Sequence, residues 1–231
     1  MAGRKTKSGH VPRAIALAAL AVSALAACTP ADGAEVYDQG RVVDEMASHV
    51  DEGTADAYTA TYQLTGGVTV TVVHTPTPYR DAYIFPDGRY VSTPEFQMTC
   101  DAATCTLTDP LPTNAPLDTD AIAEAGGPGF ISVQDVMSLL TKAALDKSAE
   151  LTPGDDTLVA EHANCASVDG LTGGASTKFR TCVTDRGVLG RFTGSFHDAP
   201  VDQLLVGYSQ NADENVFTPP SGWKLVDQRS K

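Results

Sequence analysis

No stretch of this chain is apolar for the roughly 20 residues that a membrane-spanning helix needs. The longest run, Ala14 to Leu25, is shorter and has no second like it. Positive charge is scarce as well: 16 Lys and Arg face 29 Asp and Glu, a formal net charge of −13. So acidic a body argues against a nucleic-acid partner and against broad adhesion to an anionic membrane face. Catalytic motifs are also missing. His49, His74, His162 and His197 are far apart and form no HExxH or HxH. Gly194-Ser195 is followed by Phe196-His197-Asp198, which does not complete a GxSxG, and three catalytic residue types in a row cannot assemble a triad by adjacency. No phosphate-binding glycine loop is present, and neither Asp155-Asp156 nor Asp118-Thr119-Asp120 has the spacing of a calcium hand. The expectation is a non-catalytic protein with no metal and no cofactor.

The N-terminus carries Arg4, Lys5, Lys7 and Arg13 ahead of the apolar run, which closes on Leu25-Ala26-Ala27-Cys28. This ending resembles a bacterial lipobox: an aliphatic residue, two small ones, and the cysteine to be acylated. The resemblance implies a signal peptide over residues 1–27, cleavage before Cys28, and a diacylglyceryl and palmitate anchor on Cys28 at the extracytoplasmic face of the cell membrane. A short anchor that stays in the bilayer is the competing reading. Arg4-Lys5 is not a twin-arginine pair, so the general secretory route is expected. Loss of residues 1–27 leaves 204 residues with 12 basic against 29 acidic side chains, a net charge of −17. That length suits one domain over 38–231. Residues 28–37 read as a tether of about 30 Å at most, at roughly 3.3 Å per extended residue, which holds the domain near the bilayer.

With Cys28 assigned to lipid, Cys100, Cys105, Cys165 and Cys182 remain as an even set in an oxidising compartment. Three pairings are possible, and proximity favours Cys100 with Cys105 and Cys165 with Cys182. A four-cysteine zinc site is the rival, but these spacings lack CxxC knuckles. A redox role for Cys100 and Cys105 is disfavoured because the gap is not CxxC and no basic residue sits beside it.

Residues 38–53 have helical spacing, with Val42 or Val43, Met46 and Val50 on one stripe. Tyr58–Leu64 and Val68–Val72 alternate around Gly66-Gly67 and read as a hairpin, after which Thr75-Pro76-Thr77-Pro78 is expected to interrupt pairing. A second hairpin joins Tyr79–Phe85 to Arg89–Ser92, and a third joins Phe96–Cys100 to Cys105–Leu107. Residues 109–129 read as a long loop with a helical turn near Asp120–Ala125. Ser132 caps a helix from Val133 to about Ser148, and Pro153-Gly154-Asp155-Asp156 is expected to end that segment. Strands follow at Leu158–Val168, Phe179–Thr184, Val188–His197 and Val201–Ser209. The tail from Phe217 to Trp223 is expected to cover a sheet edge.

Helix, antiparallel strands, helix and further strands on a lipidated chain resemble the actinobacterial LprG/LppX and LolA-like lipoprotein carriers. The lipobox, Tyr58–Leu64, the spaced cysteines, Arg186-Gly187-Val188-Leu189 and Phe217-Thr218-Pro219-Pro220 carry the resemblance over most of residues 38–222. It implies an α+β fold: a curved antiparallel half-barrel with two main helices on its concave side, around an apolar pocket. The implied walls are Met46, Val50, Tyr62, Val70, Val136, Met137, Leu140 and Phe192. The implied function is binding of an acyl lipid, glycolipid or other hydrophobic ligand and, in a carrier, its transfer. The alternative is an interaction or sensor lipoprotein with a filled core that binds an envelope protein.

Overall fold

A computed structural model describes residues 33–112, 115, 117–126, 129–173 and 175–230. The expected signal peptide, Cys28 and the first part of the expected tether lie outside them. The first helix, α1 (Gly33–Gly53), begins ahead of the expected residue 38 and takes in the last residues of that tether. Its stripe is as the spacing predicts: Val43, Met46 and Val50 are buried while Asp44, Glu45, Asp51 and Glu52 face water.

Two antiparallel meanders follow, separated by two helices. The first runs β1 (Tyr58–Gln63), β2 (Thr69–Pro76), β3 (Tyr79–Ile84), β4 (Gly88–Ser92), β5 (Gln97–Asp101) and β6 (Thr104–Thr108). Then come α2 (Thr119–Gly126) and α3 (Val133–Leu145). The second meander is β7 (Glu150–Leu158), β8 (Glu161–Asp169), β9 (Lys178–Thr184), β10 (Leu189–Phe196) and β11 (Ala199–Ser209). Pairing of β11 with β1 fuses the two into one open, curved sheet of 12 strands, closed at its far end by β12 (Lys224–Asp227). Every pairing is antiparallel except β12 with β6. The α+β architecture is thus as expected, with three helices on the sheet where two are expected as the main cover.

Three local expectations are corrected. Thr75–Pro78 does not interrupt pairing, because β2 continues to Pro76, which pairs with Tyr79 across a tight turn holding a cis Thr77-Pro78 bond. The prolines sit at the turn end, where a missing ladder donor costs little. Pro153-Gly154-Asp155-Asp156 does not end a segment but lies inside β7. That strand is the outermost of the sheet, the position at which a proline nitrogen need not donate. The tail past Phe217 does more than cover an edge, since it supplies β12 as an edge strand.

Strand alternation builds a core on each face. On the inner face, α1 and α3 pack on each other and on the second meander, while α2 lies on β4 and β5. Ser132 caps α3, its hydroxyl accepting from the Asp135 amide at 3.1 Å. Val136, Leu139, Leu140 and Ala143 are buried beneath that helix. On the outer face, the register aligns Val73, Ala82, Val91, Met98 and Leu107 across five strands. Phe217 covers this row, with Val216 and Trp223 packed beside it. The Arg80 guanidinium lies 4.4 Å over the Phe217 ring, and Arg89 donates to the Val216 carbonyl at 3.1 Å, which fastens the tail.

Cys100 bonds Cys105 and Cys165 bonds Cys182, in each case between residues directly opposite in the ladder. Both bridges belong to outer-face clusters, away from the helices. The sequence separations are 5 and 17 residues. Replacing both cysteines by alanine is expected to cost about 2 kcal/mol for the Cys100 bridge and about 3 kcal/mol for the Cys165 bridge, because the longer loop restrains the unfolded chain more. Urea unfolding checks this, and the reverse order would refute the loop-entropy account.

Candidate functional site

The first three strands set Tyr58, His74 and Asp81 side by side, since Tyr58 pairs with His74 and His74 with Asp81. One step along the same face, Ala60, Val72 and Tyr83 form the next row. From above, the segment leading into α3 lays Phe130 edge-on against Tyr62, Tyr83 and Phe85, with ring centroids 6.5, 5.4 and 6.2 Å away. From the side, Gln203 of β11 accepts from the Ile131 amide at 2.9 Å. All of these groups except Ala60 and Phe85 line a chamber of about 30 Å³ beneath the N-terminus of α3. That is room for about one water molecule.

His74 is the polar centre of the chamber wall. Its Nδ1 lies 2.8 Å from Asp81 Oδ1, and its Nε2 lies 3.0 Å from the carbonyl oxygen of Thr54, just past α1. Both partners are acceptors, so both bonds are made only when both ring nitrogens carry protons. Burial alone pushes the His74 pKa down, but the hydrogen bond and charge of Asp81, with the Thr54 carbonyl, outweigh it and raise the pKa above its ordinary value. Burial is also the first cause holding the Tyr58 and Tyr83 phenols well above their usual range, and the Asp81 charge adds to it. Burial raises Tyr62 and Tyr79 too. All four phenols are therefore protonated, donor-capable hydroxyls.

Of the predicted pocket walls, Met46, Val50, Tyr62, Val70, Val136, Leu140 and Phe192 are buried in one inner cluster, with Met137 half-buried at its side. The fold brings them together in one packed cluster. Among them only Tyr62 lines the chamber, and the others pack against neighbouring side chains. Two larger hollows, of about 760 and 590 Å³, are open surface features. The first lies over β7–β10, where Arg180 and Arg191 reach Asp156 and Asp202 at 3.4 and 3.9 Å. The second lies between Asp109 and Arg229.

Other candidates fall away. Asp156, Cys165 and Cys182 converge, but both sulfurs are spent in a disulfide and offer no thiolate to a metal. His197 and Asp198 form the exposed turn between β10 and β11, with φ of 49° and 62°. His162 lies on the surface beside Asp185 at 2.9 Å. The His74–Asp81 pair, by contrast, has no motif in the sequence. Its only signal is the β2–β3 register, which a hairpin stopped at Thr75 conceals.

No family model and no curated protein matches the chain. Among solved structures, it is similar to an uncharacterized conserved protein from Thermus thermophilus, at 11% identity and a TM-score of 0.48, over 80% of this chain and 98% of that one. It is also similar to MucB, at 12% identity and a TM-score of 0.47, over 84% of this chain and 66% of MucB. A third likeness is to LprF from Mycobacterium bovis, at 10% identity and a TM-score of 0.40, over 80% of this chain and 98% of LprF.

Proposed function

We propose that this is an exported lipoprotein, anchored through Cys28 at the extracytoplasmic face of the cell membrane, which binds an acyl lipid or another hydrophobic ligand without catalysing a reaction. The observation that supports this reading is the convergence of eight apolar side chains from both helices and both meanders under α1 and α3, with an aromatic chamber at one margin. The closed form is too tight for an acyl chain, because ligand pockets are typically at least about 300 Å³. Uptake therefore requires α3 to move away from the sheet. Each methylene transferred into such an apolar space contributes about 0.8 kcal/mol, which allows exchange with the membrane that the anchor holds nearby.

The ligand is tested with purified residues 29–231 and a fluorescent fatty acid, alongside native mass spectrometry of the protein as it leaves the cell. Saturable binding or a co-purified lipid mass is the expected result; the absence of both would overturn the reading. The anchor is tested separately. Wild type should incorporate labelled palmitate and sediment with membranes, while Cys28→Ala should do neither.

A second reading has its own support in the 30 Å³ interior. In it, the core is filled and the fold presents its surface to an envelope protein. A negative lipid result combined with in-cell crosslinking to one membrane protein would favour that reading.

A further inference from the structure

The groups around the chamber are unevenly balanced between donors and acceptors. Gln203 is 1% exposed, and its side-chain oxygen is taken by the Ile131 amide, while its amide NH₂ has no partner among the described residues. Tyr62 and Tyr83 are 4% and 5% exposed, line the same space, and their hydroxyls likewise have no hydrogen-bond partner among the described residues. The first two amides of α3, on Val133 and Gln134, are also unclaimed there, since Ser132 serves those of Asp135 and Val136. Two carboxylates are near, and both are engaged: Asp81 by His74, and Asp135 by the Ser132 hydroxyl at 2.6 Å. What is left over is a set of neutral donors that face the chamber at the positive end of a 13-residue helix.

We propose that this chamber is the head-group subsite for the carboxylate of a long-chain fatty acid, whose chain runs under α3 along the apolar cluster. The assignment rests on the hydrophobic-ligand reading above. Polar groups in an interior are ordinarily paired, so unspent donors facing a space that holds about one water-sized oxygen call for an oxygen acceptor. A carboxylate takes up to four hydrogen bonds and is favoured by a helix N-terminus, whereas an ester offers weaker acceptors and no charge. The phenols are held protonated by burial and so remain donors. The imidazolium of His74 balances Asp81, which leaves the chamber free of net negative charge.

The test compares palmitate with methyl palmitate by displacement of a fluorescent fatty acid from purified residues 29–231. Wild type should prefer the acid by about tenfold, the scale of hydrogen bonds to a charged group. Gln203→Glu keeps the oxygen that serves the Ile131 amide but replaces the donor with a negative charge. It should abolish the preference by weakening the acid far more than the ester, and Tyr62→Phe and Tyr83→Phe should each reduce the preference. Circular dichroism and unfolding midpoints confirm that each variant is folded. Equal affinity for acid and ester in the wild type would overturn the carboxylate subsite while leaving hydrophobic binding intact. Failure of both ligands to bind would overturn the subsite and the hydrophobic-ligand reading together.

Discussion

Asp81→Ala should lower the unfolding free energy by about 4 kcal/mol, the usual scale for removing one member of a buried ion pair. His74 and Asp81 expose only 2% and 8% of their side chains, so water cannot take over the lost partner's role. With the carboxylate gone, only the Thr54 carbonyl still favours the imidazolium against burial, and the His74 pKa falls. A neutral ring can still donate to one acceptor, but the pair that ties the end of α1 to β2 and β3 is gone. Urea unfolding at pH 6 measures the loss, and a change under about 1 kcal/mol would show that the pair is not integral to the fold.

The same pair sets a pH dependence with a definite sign. The folded pKa of His74 is raised above the unfolded value of about 6.5. The native state therefore binds more protons than the unfolded state across that interval. The stabilisation is fully present below about pH 6.5 and is lost as pH rises through the raised folded value. Wild type should weaken over that window, and Asp81→Ala should not. Exposed His162, raised by its hydrogen bond to Asp185, titrates in the same direction, so the comparison belongs on a His162→Gln background.

Phe192→Ala should cost about 4 kcal/mol by leaving a cavity in close-packed surroundings. Phe192 is fully buried on β10, stacked on Phe179 with centroids 5.5 Å apart and planes 22° apart, and it pairs with Gln203 across the ladder. This substitution bears on function as well as stability. A side chain bordering pre-existing empty space loses fewer contacts on truncation than one locked on all sides. A loss near 4 kcal/mol therefore fits an interior that opens only to admit ligand. A loss below about 1.5 kcal/mol, with folding intact, would mean that Phe192 borders space not packed by protein, as in a standing pocket.

Much of the local structure was legible because local chemistry decides it. Ser132 followed by an apolar stripe gives α3, and Val43, Met46 and Val50 give the buried face of α1. The alternation around Gly66-Gly67 gives the first hairpin, with Tyr62 opposite Val70. The cysteine pairing favoured by proximity is the one formed, because each pair closes a hairpin or a neighbouring-strand connection. Two of the corrected expectations share one cause. Pro76 and Pro153 read as local stops, yet whether a missing donor matters depends on where in the sheet the strand lies. Pro76 adjoins a turn and Pro153 is on an edge.

Ending the strand at Thr75 also hides the register that places His74 opposite Asp81, and with it the polar centre of the chamber. No signal along the chain marks Gln203 as a chamber residue either. It arrives because β11 pairs with β1, a contact between segments more than a hundred residues apart. The parallel pairing of β12 with β6 is equally non-local.

By itself, then, the sequence determined the acidic body, the lipobox-like ending at Cys28, the amphipathic helices and most strands, since each depends on composition or on neighbours a few residues away. Only the tertiary structure decided how the two meanders join, that the predicted walls meet in a closed core, and that unpaired donors gather under α3. The physical reason is that pairing between distant strands and the filling of an interior are set by the whole sheet's register and packing, which no short stretch of chain encodes.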